Sequence, residues 1–366
     1  MPKVANKQNL THAERRSREL TELIRATLWE LPDACTDFIR AIEPGTSGLT
    51  RLGYARDLRL FFHYLTAEVP IFGGFTPDQW TSAQLARITS RHMEMFLEYL
   101  TLYVRGDEET EMEYTNAELG KMRKLSVLRS FFRYLFKKAI VPANVAVLVD
   151  MPKRHEKPIL RLEIDEVARI LDMVESGDAL TARQKAYHEH TKQRDLAMLT
   201  LFLGTGIRVS ECVGMDLEDI DFTSDSFLVT RKGGNQVILY FPAEVSEVMK
   251  AYVHWRQEQE ALPGHEEALF LSMQKKRITV RAVENMVKKY ALQVAPLKKR
   301  MSPHKLRSTF GTNLYRETGD IYLVADVLGH SDVNTTRKHY AAMDEDRRRM
   351  ATKAVILRDD GRPEQE

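Results

Sequence analysis

Apolar residues recur at helical spacing along most of this chain. Leu20, Ile24 and Leu28 share one stripe in LTELIRATLWEL, Leu125, Leu128, Phe132 and Leu135 in KMRKLSVLRSFFRYLFKK, and Leu306, Phe310 and Leu314 in MSPHKLRSTFGTNLY. Intervals of three and four residues put side chains on one helix face, which must then be buried against another element. Strand-like runs appear clearly only once, where SFLVTRK and QVILYFP flank Gly233 and Gly234 as a hairpin would. The expected fold is therefore mainly α with a small β-hairpin or sheet.

Punctuation divides the chain. Thr11 and Glu14 read as a capping box opening a first helix, which EPGTSG at residues 43–48 breaks. LTRLGYARDLRLFFHYLTAEV predicts a second helix, closed by Pro70, Gly73, Gly74 and Pro77, and TSAQLARITSRHMEMFLEYLTLYV a third, followed by the acidic loop GDEETEME. DMPKRHEKPILR, with two prolines and many charges, reads as a linker, and EIDEVARILDMV opens a second half. No internal repeat or low-complexity tract is visible. The expected division is an N-terminal helical extension at 1–45, a helical domain at 46–150, a linker at 151–160, a second domain at 161–345 and a tail at 346–366.

Composition narrows the function classes. At 366 residues there is room for two cores, and with a net charge of +2 any basic surface must be local. Cys35 and Cys212 stand far apart without CxxC spacing, which argues against a disulfide framework or structural zinc and suits a reducing cytosol. The N-terminus lacks the apolar core of a signal peptide, and apolar runs are too short to span a bilayer. A soluble cytoplasmic protein is expected, with no membrane partner.

Six groups could carry chemistry. Arg208, in GTGIRVSE, has a plain reading as an ion pair with Glu211 one turn on; a part-buried arginine can equally hold a phosphate as a bidentate fork. GTGIRV is no dinucleotide fingerprint, because the third glycine and the preceding strand are missing. Lys232 sits at the hairpin tip RKGGN, where lysine is common at exposed turns but can also reach into a groove and donate a proton. In MSPHKLRSTFGTNLY, Ser302 can cap a helix whose first turn contains Pro303, and His304 and Arg307 share a face suited to an anion. Asp320 can start a further helix that Gly329 ends, with His330 in the turn; Asn334 can cap a last helix carrying Tyr340. A tyrosine hydroxyl, with a pKa of about 10, is a poor nucleophile unless cations neutralise its target. Lys121–Lys138 adds seven positive charges without an acid, Lys121, Arg123, Lys124, Arg129, Arg133, Lys137 and Lys138. A solvated face and a phosphate-facing helix are both compatible with that run.

Arg208, Lys232, the His304–Arg307 pair, the LGH ending at His330 and Tyr340 fall in the order of the tyrosine recombinase, or phage-type integrase, family, at intervals of 24, 72, 3, 23 and 10 residues. YARDLRLFFHYL and KLSVLRSFFRYLFKKAIVPANVA resemble the family's core-binding domain, so the resemblance covers roughly residues 46–345. It implies a helical core-binding domain and a catalytic domain closing on DNA as a C-shaped clamp. It also implies a catalytic set of Arg208, Lys232, His304, Arg307, His330 and Tyr340, with the basic helix on DNA through Lys121, Arg123, Lys124, Arg129, Arg133 and Lys137. Tyr340 would form a 3′-phosphotyrosyl bond, without metal, ATP or other cofactor. Double-stranded DNA carrying specific sites would be the partner, in a homo- or heterotetramer held together by the tail on the nucleoid.

The chain departs from the family pattern in three places. The His330-to-Tyr340 interval is one residue longer than in Xer-type members, an N-terminal extension precedes the core-binding segment, and ESGDALTARQKAYHEHTKQ is an added polar stretch. The N-terminal extension and the ten-residue interval favour integration and excision of a mobile element over resolution of chromosome dimers. A type IB topoisomerase-like enzyme, a catalytically silent DNA-binding regulator and a metal-dependent nuclease remain as competing readings.

Overall fold

The computed structural model describes residues 12–105, 112–153, 160–178, 180–231, 234–298, 300–329 and 333. The chain divides into two compact units, residues 1–157 and 158–366. Both are built mainly of helices, with two small antiparallel sheets.

The first unit contains α1 (His12–Leu28), α2 (Asp33–Ala41), α3 (Gly48–Glu68), α4 (Ser82–Leu85), α5 (Ser90–Tyr99), the strand pair β1 (Tyr103–Arg105) and β2 (Met112–Tyr114), and α6 (Glu118–Lys137). Its core is aromatic: Phe38, Phe61, Phe62, Phe96, Phe131 and Phe132 are buried and meet edge to face, with Phe61 and Phe96 centroids 5.1 Å apart. Each such ring contributes roughly 2–3 kcal/mol on leaving water. α1 and α2 belong to this same core through Ile24, Phe38 and Ile39.

Helix boundaries differ from the sequence expectation in two places. The first expected helix is two, because Pro32 (φ −53°, ψ 147°) leaves the helical region and starts α2. The third is also interrupted: Thr89 is extended, its N–H donates to His92 Nδ1 at 3.1 Å, and α5 begins afresh. The end of that segment leaves the helix altogether, because Tyr103 pairs with Tyr114 across β1 and β2 and stacks between Tyr99 and Tyr114 at 5.2 and 5.5 Å. Met112 and Glu113 of the expected loop are therefore strand residues; 106–111 lie outside the described residues, as do the Thr11 cap and linker residues 154–159.

The second unit contains α7 (Ile164–Ser176), α8 (Ala182–Thr205), α9 (Val209–Gly214), β3 (Ile220–Asp221), β4 (Ser226–Thr230), β5 (Gln236–Tyr240), α10 (Ala243–Gln257), α11 (Val280–Val294), α12 (Pro303–Thr318) and α13 (Ile321–Leu328). The hairpin appears as expected, with Phe227 opposite Leu239 and Thr230 opposite Gln236, and the short β3 adds a third strand. α8 is the central helix. Met198, Leu201 and Phe202 are fully buried in the core shared with Met249, Val283, Val287 and Leu306. A second device ties α8 to α11: buried Asp195 on α8 accepts from Tyr290 Oη at 2.9 Å and pairs with Lys289 at 3.4 Å. Both cysteines are free and buried, and burial pushes their thiols up, so they stay protonated. Among the described residues no helix is long and apolar enough to cross a membrane.

Candidate active site

Arg208 owes its place to a tight turn. α8 continues one residue past Gly204, and Gly206 then reverses the chain at φ +63°. A Cβ at Gly206 would stand 2.4 Å from Phe310 Cδ1, so both the positive φ and the close packing require glycine. Two residues on, Arg208 is the extended N-cap of α9. Glu211, buried in the first turn, accepts the Arg208 backbone N–H at 3.0 Å and its Nη1 at 2.7 Å. The other edge of the guanidinium donates from Nη2 to the carbonyls of Leu328 at 3.2 Å and Gly329 at 2.8 Å.

Arg307 reaches the same carbonyl from α12. It is only 5% exposed, and its Nη1 and Nη2 donate to Gly206 and Leu328 carbonyls. Backbone carbonyls thus receive the donors of this buried guanidinium. His304, one turn earlier, is exposed. Ser302 does occupy the N-cap of α12, but its side chain makes no cap hydrogen bond.

The shared acceptor is the end of α13. Asp320 caps its start, accepting from Tyr322 and Leu323 N–H groups at 2.8 and 3.1 Å, and Gly329 ends it at φ +59°. The last carbonyls of a helix lack intrahelical partners and carry its negative pole, so guanidinium groups are favoured there. The outcome is a pair of arginines from distant segments held at one point, immediately before His330.

Of the six residues expected to act together, the structure brings Arg208 and Arg307 to one carbonyl and leaves His304 exposed on the first turn of α12. Lys232, His330 and Tyr340 lie outside the described residues, as do the Asn334 cap and the tail. Their sequence neighbours do meet: Arg231, just before Lys232, lies against Gly329, just before His330.

Three further residues shape the site. Glu211 was visible as an acid three residues after Arg208, a spacing that by itself signals only a surface ion pair. Arg231 was visible merely as part of RKGG. Arg277 carries no motif at all, yet it is buried and donates to the carbonyls of Val213 at 3.0 Å and Met215 at 2.7 Å and pairs with Asp216, fixing the exit of α9.

The charges of α6 in the first unit do not form a single face. Lys124 is 9% exposed and donates to Asn116 Oδ1 at 2.7 Å; burial lowers its pKa, against the pull of Asp57. Arg129 donates to the carbonyls of Ala146 and Val149 at 3.2 and 2.5 Å, and Lys121 to Thr101 Oγ1 at 2.7 Å. Arg123, Arg133, Lys137 and Lys138 are exposed, the first three spaced along one helix stripe. Arg123 is anchored by buried Asp57 on α3 at 2.6 Å; burial raises that carboxyl while Arg123 and Lys124 oppose the rise.

Comparison with known proteins fits this geometry. Residues 161–347 match the model of the phage integrase family. The tyrosine recombinase XerC of Thermodesulfovibrio yellowstonii is 30% identical over 307 residues, covering 82% of this chain and 89% of the relative. The fold is shared with the XerH site-specific recombinase solved on its difH substrate before cleavage, at a TM-score of 0.59 and 19% identity over 85% of this chain and 80% of that one. It is also shared with the Tn1549 transposon integrase in complex with transposon right end DNA, at a TM-score of 0.59 and 19% identity over 88% and 99%. The chain belongs to the phage integrase family: it is a tyrosine recombinase, an enzyme of site-specific DNA recombination.

Proposed function

We propose that this chain cleaves and rejoins DNA through a covalent bond from Tyr340 to the 3′-phosphate. The observation that carries the proposal is the convergence of Arg208 and Arg307 on the Leu328 carbonyl, two residues before His330 in sequence. Two guanidinium groups held that way can neutralise the non-bridging oxygens as charge builds on an attacked phosphate. Tyr340 Oη attacks phosphorus in line while His304 assists removal of its proton. The bond to the 5′-oxygen breaks, Lys232 gives that oxygen a proton, and His330 hydrogen-bonds the phosphate. The phosphotyrosyl bond retains the phosphodiester's energy, so a 5′-hydroxyl from another strand can reverse the step and complete exchange.

The exposed Arg123, Arg133 and Lys137 suit contact with the DNA backbone, adding salt-sensitive affinity. Lys121, Lys124 and Arg129 belong to the same proposed helix but are less exposed, Lys124 being buried and the other two half-buried. In the cell we assign integration and excision of a mobile element, on the long His330-to-Tyr340 interval. A second reading, resolution of chromosome dimers on the nucleoid, uses the same chemistry. Assembly as a tetramer through residues 346–366 belongs to either reading; deleting them should weaken assembly more than single-site binding, and equal losses would count against it.

The test is covalent trapping. End-labelled duplexes with random cores, nicked so that a short fragment is lost on cleavage, are incubated with protein in EDTA and run on denaturing gels. A labelled protein band that Tyr340→Phe abolishes supports the reading, and sequencing the trapped DNA gives the site. A band that survives Tyr340→Phe assigns another nucleophile; no band, with DNA binding intact, supports a silent regulator.

A further inference from the structure

Three guanidinium groups, not two, meet at the end of α13. Arg231 Nη2 donates to the Val327 carbonyl at 3.2 Å, Arg208 to Leu328 and Gly329, and Arg307 to Leu328, so three consecutive carbonyls are taken in turn. Arg231 lies close against the backbone here: a Cβ on Gly329 would be 2.1 Å from its Nη1 and 2.4 Å from its Cζ. Gly329 thus serves both the positive φ that ends α13 and the space that Arg231 occupies.

Among the described residues the charge of Arg231 is not balanced. Arg208 has Glu211 as its carboxylate. Arg231, part-buried, has no carboxylate within ion-pair distance among the described residues, and its buried Nε has no hydrogen-bond acceptor among them. A neutral carbonyl orients a guanidinium without cancelling its charge. A part-buried cation with an unused donor, fixed beside two others, is what a bound anion would satisfy. A phosphodiester carries one negative charge and two non-bridging oxygens, enough acceptors for three forks.

We infer that Arg231 is a third phosphate-contacting guanidinium, a further catalytic residue beside Arg208 and Arg307. The inference rests on the phosphotyrosyl reading above and adds a residue to it. The alternative is that Arg231 only braces the α13 turn through the Val327 carbonyl.

A change of substrate charge separates the two. Single-turnover cleavage of the trapped duplex is compared for the phosphodiester and for a methylphosphonate, in which a methyl group replaces one non-bridging oxygen and removes the charge. The variants are Arg231→Ala and Arg231→Gln; the glutamine can still donate to Val327 but carries no charge. Both should slow cleavage of the phosphodiester by roughly 100-fold relative to the parent enzyme, a usual loss for one transition-state donor. On the methylphosphonate the same ratio should shrink to within about tenfold, because less charge needs neutralising. A ratio unchanged between the substrates, or full activity of Arg231→Gln on the phosphodiester, overturns the inference. If Arg231→Ala does not fold, the glutamine variant alone decides. Arg208→Ala and Arg307→Ala are run beside them. Absence of any trapped site, or absence of methylphosphonate rescue in both of those variants, means that the underlying reading has failed; rescue there without rescue at Arg231 means that only this inference has.

Discussion

Glu211 grips Arg208 at two atoms, taking its backbone N–H at 3.0 Å and its Nη1 at 2.7 Å while its own side chain stays 4% exposed. An exposed pair at this spacing contributes little, but this one is sheltered and sets both the start of α9 and the plane of the guanidinium. Glu211→Gln should keep the shape and loosen the grip. Single-turnover cleavage should slow roughly 10–100-fold, about 1.4–2.7 kcal/mol of barrier. Affinity for DNA should change by less than about threefold, since phosphate contacts dominate it. A variant that cleaves at the parent rate would reduce Glu211 to a helix cap.

Arg277 gives a stability prediction at the other end of α9. It joins two carbonyls and Asp216 from a buried position, so Arg277→Met removes three partners at once. Apolar volume is retained, but the Val213 carbonyl loses its donor, the Met215 carbonyl keeps only the Leu269 N–H, and Asp216 loses its cation. A loss of about 2–4 kcal/mol in unfolding free energy is expected. Denaturant titration checks it, and a change below about 1 kcal/mol would mean that water replaces the guanidinium.

Of these two residues the sequence displayed Glu211, as the ion-pair partner of Arg208, but not Arg277. Periodicity was enough for α6 and α7, because each buries one continuous face, and two strand-like runs about a Gly-Gly turn were enough for the β4–β5 hairpin. It failed at Thr89 and Tyr103, where a local cap and a tyrosine stack override an apolar pattern that still looks helical. The arginines of the site were legible as a spaced set, since their order along the chain resembles a family. Arg277 was not, because its partners are backbone carbonyls, which leave no trace in side-chain identity. Lys124 fails to read for the converse reason: a run of positive charges says nothing of which ones the fold turns inward to Asn116.

The same contrast yields a prediction on DNA. Arg133 and Lys137 are exposed on α6, whereas Lys124 is buried and bonded. Arg133→Ala and Lys137→Ala should each reduce the slope of log K against log salt by about one, with melting unchanged. Lys124→Ala should leave the slope alone and lower the melting temperature, because Asn116 loses its donor and a buried space opens. If all three variants shift the slope alike, α6 meets DNA along a different face.

A pH effect on stability should come from His188. This residue is 2% exposed; its Nδ1 lies 3.1 Å from Tyr290 Oη, which itself donates to Asp195 at 2.9 Å. With the tyrosine proton so committed, Nδ1–H must be the donor to the tyrosine oxygen, which leaves Nε2 unprotonated. Nε2 is buried without a partner among the described residues and faces Gly177, where a Cβ would stand 3.1 Å away. Protonation there would create a buried cation with no acceptor. Burial, helped by Lys289, therefore lowers the His188 pKa, and Asp195 and Glu189 only partly offset this. The unfolded chain then binds the proton more readily than the folded one, so stability rises with pH through that range. It should be complete above the ordinary imidazole pKa of about 6.5 and fall as the medium is acidified below it. His188→Gln, which cannot take up the proton, should show a smaller drop in melting temperature between about pH 7.5 and 5.5, the window in which histidine titrates. Parallel melting curves for the two proteins across that window would assign the acid sensitivity to other groups.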